Sequence, residues 1–135
     1  MDLGIHNRHA LVCASSQGIG LACATALARE GAQVVINGRD ADRLAQAQAQ
    51  IHDKTGQTVR TLVADIATEA GRQALFDGCP DLDILINNNA GPPPGQLADW
   101  DHDAWIRAIE SNMLAPILLI RGFVPGMRAR KFGRI

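Results

Sequence analysis

A chain of 135 residues, 47% apolar and 20% charged, has the size and composition of one globular domain and is not a disordered sequence. Its net charge of −1 gives no basic field for nucleic acid or an anionic membrane surface. The longest apolar stretch, Met113 to Ile120, is too short to span a bilayer and contains Pro116, the N-terminus has no charged-then-apolar signal pattern, and three irregularly spaced cysteines suit a reducing cytoplasm better than a disulfide framework.

Apolar runs alternate with helix-patterned stretches along the chain. Ala10–Ala14 is predicted as a short buried strand. Gly18–Glu30 is predicted helical, with Ile19, Cys23, Ala26 and Leu27 on its apolar face and Gly31 as its stop. Between them the chain reads Cys13-Ala14-Ser15-Ser16-Gln17-Gly18-Ile19-Gly20. A strand, a glycine turn and a helix in that order make an anion site. The helix start offers unpaired N–H groups and partial positive charge, and glycine lets the backbone approach a pyrophosphate.

Gln33–Ile36 is the second predicted strand and Asp40–Lys54 the second helix, with Asp40 as its cap. The link reads Asn37-Gly38-Arg39. An acid at this strand end takes the adenosine ribose hydroxyls of NAD. Glycine in its place removes the repulsion of a 2′-phosphate, and Arg39 supplies a charge-assisted partner. NADP is therefore favoured over NAD, the alternative for Arg39 being a solvated charge at a helix start. Thr58–Ala64 is the third strand, followed by Asp65-Ile66 and a helix over Thr68–Asp77; by itself Asp65 reads equally as a cap or a turn residue.

Leu82–Asn87 is the fourth strand, running into Asn87-Asn88-Asn89-Ala90-Gly91 and a stiff loop of Pro92, Pro93, Pro94 and Gly95. A long helix is predicted from about Asp103 to Arg130. Pro116 inside it has no N–H, which frees the carbonyl of Asn112 four residues earlier to hold a water; the plainer alternative is a kinked surface helix. Its apolar row Ile109, Met113, Ile117, Ile120, Val124 and Met127 reads as core or subunit interface. Asp99, Asp101, Asp103 and Glu110 have calcium-loop spacing, but Ala104 stands where that loop needs glycine and a proline loop precedes it. These acids are expected to charge-match the helix start. The four histidines form no ligand pattern, so no metal site is expected.

The turn at 13–20 resembles the T-G-x-x-x-G-x-G turn of the short-chain dehydrogenase/reductase family, with Cys13 and Ala14 in place of the Thr and the first Gly. Asn87-Asn88-Asn89-Ala90-Gly91 resembles that family's N-N-A-G, with either one Asn inserted or Asn89 and Ala90 replacing Ala and Gly. Asn112 matches the Asn of its catalytic Asn-Ser-Tyr-Lys group. The resemblance implies a Rossmann-type α/β fold: a doubly wound parallel sheet, order 3-2-1-4, with about four strands and four helices, in one dinucleotide-binding domain over 1–135 that is incomplete at its C-terminus. It implies cofactor contacts from Ala14, Ser16, Gln17, Gly18, Ile19, Gly20, Arg39, Asp65, Ile66, Asn88 and Ala90. The Ala14 methyl is expected to crowd the turn if φ there is positive.

The same resemblance implies reduction of a small-molecule carbonyl, such as a 3-oxoacyl thioester, to an alcohol with NADP, by a cytoplasmic homo-oligomer assembled through helix 103–130. The chain contains no tyrosine and ends at Ile135, where a fifth strand would begin. The family's catalytic Ser, Tyr and Lys are thus expected beyond it, and this chain alone is expected to be inactive. Strand four is expected to leave an exposed apolar edge. The alternative from another class is a non-catalytic module that binds NADP or pairs with a further subunit.

Overall fold

The computed structural model describes residues 2–135. Its elements in chain order are β1 (His9–Val12), α1 (Gly18–Arg29), β2 (Gln33–Gly38), α2 (Ala41–Thr55), β3 (Arg60–Val63), α3 (Glu69–Gly78), β4 (Ile84–Ile86), a 3-10 turn (Leu97–Asp99), α4 (His102–Ile109), a π-helical turn (Glu110–Leu114) and α5 (Ala115–Ala129). The four strands are parallel and lie in the order β3-β2-β1-β4. This is the Rossmann-type order expected when each crossover turns right-handed.

Side-chain alternation along the strands divides the core in two. Ala10, Val12, Val34 and Ile36 face α1 and α2, where they meet Ala24, Ala28, Leu44 and Ile51. Leu11, Cys13 and Leu85 face α3 and α5, where they meet Leu75, Leu119 and Phe123. Fully burying one such Leu or Ile contributes about 2 kcal/mol.

Two expectations need correction and one divides. The buried row of α1 is Gly20, Ala24 and Ala28, and Ile19 is 77% exposed. The helix lies too close to the strand end for large side chains: a Cβ on Gly20 would sit 2.4 Å from the Ala14 carbonyl oxygen. The row expected as core or subunit interface divides between the two: Met127 joins Ala115, Leu119 and Phe123 in the core and Ile120 packs against it, while Ile109, Met113 and Ile117 face outward. The fourth strand is not an exposed apolar edge. Ile84 and Leu85 are buried, and the strand's outer side pairs in parallel with Arg134: Leu85 N–H donates to Arg134 O at 3.0 Å and Arg134 N–H to Asp83 O at 3.0 Å.

The expected long helix is a continuous rod whose register changes at the π-helical turn. Pro116 is the second residue of α5, so the disturbance falls just before it, as a missing N–H requires.

Candidate functional site

The carboxyl ends of β1, β2 and β4 converge on one edge of the sheet. The chain leaving β1 turns sharply there. Ala14 adopts φ +45°, the left-handed region where an L residue is strained by roughly 1–2 kcal/mol, and Gly18 follows at φ +58°. The expected crowding at Ala14 is thus present in the backbone. A Cβ on Gly18 would meet nothing within 4 Å, so the turn has open space on its outer side.

Three helices have side-chain caps. Asp40 accepts from Arg43 N at 3.0 Å, Thr68 from Gly71 N at 3.0 Å and Asp101 from Ala104 N at 2.8 Å. Helix α1 has none: the Gln17 side chain makes no capping hydrogen bond. Its first N–H groups are left for water or an anion. Ser16 is half-buried, and Gln17, Gly18 and Ile19 are exposed around this start. Gly38 borders the same space, with its Cβ position 3.7 Å from Ser16 Oγ. Arg39 is exposed next to it.

The end of β3 contributes a tight turn. Asp65 Oδ1 accepts from Ala67 N at 2.9 Å, and its main-chain carbonyl accepts from Thr68 N and Thr68 Oγ1. The carboxylate is a turn-former, one of the two readings its sequence left open; Ile66 is buried behind it. Gly71 lets α3 start against this turn, since its Cβ position is 1.9 Å from the Asp65 carbonyl oxygen.

Asn88 closes the site from β4. Its Nδ2 donates to Ala14 O at 3.1 Å and Cys13 O at 3.3 Å, tying the strand end to the glycine turn. Asn89 Nδ2 donates to Ser111 O at 3.0 Å, and its Oδ1 accepts from Ala90 N at 2.9 Å. Ala90 is exposed. Asn112 lies in the π-helical turn, exposed, with Nδ2 donating to Ala108 O at 3.1 Å. The structure therefore brings the glycine turn into contact with Gly38 and Asn88 and links Asn89 to the turn that carries Asn112, while Arg39 and Ala90 are exposed and Asp65 is half-buried in its own turn, with no hydrogen bond to the glycine turn.

Two residues of this edge were missed in the sequence. Ser15 and Asn37 are fully buried and polar. Ser15 Oγ donates to Val12 O at 2.7 Å and accepts from Asn37 N at 3.0 Å, while Asn37 Nδ2 reaches Leu62 O and Ala64 O, each at 3.0 Å. Together they stitch β1, β2 and β3 at the ends that frame the site. The available signal was an amide ending the apolar run Val34-Val35-Ile36, because a polar group on a buried strand needs partners. Cys13 lies beneath the turn, where burial pushes its thiol up to about 12 and a hydrogen bond involving Asn88 offsets part of the rise. It is a packing residue rather than a nucleophile at neutral pH.

A family model described as short chain dehydrogenase matches residues 8–135. Among curated proteins, the chain is 36% identical over 136 residues to the uncharacterized oxidoreductase YvaG of Bacillus subtilis, covering 100% of this chain and 52% of that protein. It is 34% identical over 134 residues to dehydrogenase/reductase SDR family member 4 of Pongo abelii, covering 96% of this chain and 48% of that protein. Among solved structures, L-sorbose reductase from Gluconobacter frateurii, complexed with NADPH and L-sorbose, matches with a TM-score of 0.88 at 36% identity over 96% of this chain and 51% of that one. The chain spans about half the length of the curated relatives it matches.

Proposed function

Because this chain belongs to the short-chain dehydrogenase family, we propose that it is the dinucleotide-binding front part of an NADP(H)-dependent oxidoreductase that reduces a carbonyl to an alcohol. The observation that carries the cofactor reading is the uncapped start of α1 behind the Ala14–Gly20 turn, in a chain whose α2, α3 and α4 all have side-chain caps. A pyrophosphate there would take the free N–H groups of residues 18–20, with Ser16 and Gln17 beside it. Arg39 would pair with the 2′-phosphate, and Gly38 leaves no carboxylate to repel it. Asp65 and Ile66 would border the adenine, and Asn88 and Ala90 the ribose next to the nicotinamide. The NADPH held by the similar L-sorbose reductase supports the same choice of cofactor. When bound, NADP(H) supplies the hydride; this chain binds and orients it.

Asn112 is the one member of the family's catalytic group that we place in this chain, as a residue of the proton path to a Ser, Tyr and Lys beyond Ile135. On this reading the domain over 1–135 is incomplete, and a 3-oxoacyl thioester is the first substrate to test, with L-sorbose as the comparison. A second reading, a pairing module, is favoured by the outward row Ile106, Ile109, Met113 and Ile117, which would bury against a second copy of helix 103–130. Among the described residues no helix is long and apolar enough to cross a membrane.

Titration of the chain with NADPH and NADH tests the cofactor reading. NADPH is expected to bind at least about tenfold tighter, the worth of one charge-assisted pair, and Arg39→Asp is expected to reverse the order. Tighter NADH binding by the unchanged chain would refute the assignment of Arg39. Steady turnover of NADPH by the 135-residue chain alone would refute the placement of the remaining catalytic groups outside it.

A further inference from the structure

A carbonyl inside a helix has two available main-chain partners, the N–H four residues on in the α register and the N–H five residues on in the π register. The Ser111 carbonyl has lost both. The N–H of Ala115 donates to Glu110 O instead, as the π-helical turn demands. The residue five positions on is Pro116, which has no N–H. Ser111 is half-buried against the loop that leaves β4. A polar group in such a place needs a donor from elsewhere.

The donor is the Asn89 side chain, 3.0 Å away through Nδ2. Its amide is oriented from the other end, because Oδ1 accepts from Ala90 N at 2.9 Å. Asn88, one residue earlier, holds the glycine turn through Ala14 O and Cys13 O. Two consecutive asparagines therefore fasten one loop to both sides of the site. Alanine at position 89, the residue in the N-N-A-G pattern, would supply no donor.

We propose that Asn89 is a positioning residue of this site: its side-chain amide replaces the main-chain donor that the π-helical turn and Pro116 together remove, and so fixes the turn carrying Asn112 against the loop after β4. The assignment of this turn to an active site rests on the reading in the preceding subsection; the hydrogen-bond replacement does not.

The test is hydrogen exchange on the 135-residue chain without cofactor. Asn89→Ala is expected to speed amide exchange in residues 110–118 by about fivefold to tenfold, the worth of one net hydrogen bond, and Asn89→Asp, equal in shape but with no donor, by at least as much. Pro116→Ala returns an N–H to the helix. In that background Asn89→Ala is expected to change exchange by less than about twofold, because the two positions share one acceptor. In the unchanged chain, NMR is expected to show one slowly exchanging, downfield proton on the Asn89 amide. Unaltered exchange in 110–118 in both Asn89 variants overturns the proposal. So does an equal effect of Asn89→Ala with and without Pro116→Ala, which would mark general loosening of the loop, and so does a freely exchanging Asn89 amide. Failure of NADPH to bind would refute the cofactor reading and leave this result standing.

Discussion

At the amino end of the sheet the chain is held by charge, and around the glycine turn at the carboxyl end by neutral side chains that reach for main-chain groups. Asp83, buried before β4, faces Arg130 Nε at 3.6 Å and Arg8 Nη1 at 3.9 Å, and accepts from His9 N at 3.2 Å. Arg130 also donates to the Leu82 carbonyl, and the Arg8 guanidinium lies 3.7 Å from the centre of the Phe132 ring. At the other end Ser15, Asn37, Asn88 and Asn89 do the fastening without a formal charge. The difference fits the cofactor reading proposed for the carboxyl end. On that reading, a carboxylate at the start of α1 would occupy its free N–H groups and repel a phosphate, whereas an amide holds the backbone without adding negative charge there. The amino end has no such demand, and ion pairs close it.

The largest expected effect breaks the carboxyl end. Gly20→Val would force α1 away from Ala14 and the Asn88 amide, whose Nδ2 is 2.8 Å from the Cβ position. Urea unfolding is expected to show a loss of about 3 kcal/mol, together with loss of NADPH binding. Asp83→Ala breaks the amino end. It is expected to cost about 2 kcal/mol, less than for a fully buried pair because Arg130 remains about a third exposed, and to leave NADPH affinity unchanged. The two ends also separate by salt: added NaCl should weaken the stabilisation from Asp83 and leave the Ser15–Asn37 stitching untouched.

A smaller change sharpens the comparison from the other side. Ala14→Gly relieves the strained φ of +45°. Set against the extra freedom of glycine in the unfolded chain, a net gain of about 0.5 kcal/mol is expected, read as a higher unfolding midpoint with tighter NADPH binding. An effect absent at neutral pH is expected in the alkaline pH profile. The folded chain keeps the Cys13 proton up to about 12, against an ordinary value of 9.0. The unfolded chain releases it above the ordinary value. This contribution to stability is therefore fully present below pH 9 and is lost as pH rises from there toward 12. The same sign applies to Cys79, whose thiol burial also raises. Unfolding midpoints between pH 8 and 11 should fall less steeply in Cys13→Ala than in the unchanged chain.

Much of the fold could be read from local pattern. Apolar runs separated by helix-patterned stretches, joined by right-handed crossovers, lead to the strand order 3-2-1-4, and Asp40 caps α2 where its position before a helical run places it. The α1 face was misread because helical periodicity favours the bulkiest residues. Close approach of the helix to the Ala14 carbonyl instead buries the row with the smallest side chains. Within the site the glycine turn and Asn88 were legible. Ser15 and Asn37 were not, since their partners lie on other strands, up to 27 residues away in the chain.

The alternation of strand and helix, the glycine turn, and the Gly38-Arg39 pair on which the proposed NADP reading rests can all be read locally, because each depends on neighbours within a few residues. The proline at position 116 likewise determined that the long helix would be disturbed near Asn112. Tertiary packing sets what satisfies the Ser111 carbonyl, which the π-helical turn and Pro116 leave without a main-chain donor. That partner, Asn89, lies 22 residues away on another loop, and only the packing of α4 and α5 beside the end of β4 brings the two together. Tertiary packing also brings Asp83, Arg8 and Arg130 together at the amino end and sets Ser15, Asn37, Asn88 and Asn89 on main-chain groups at the other, since these partners meet only once the sheet has formed.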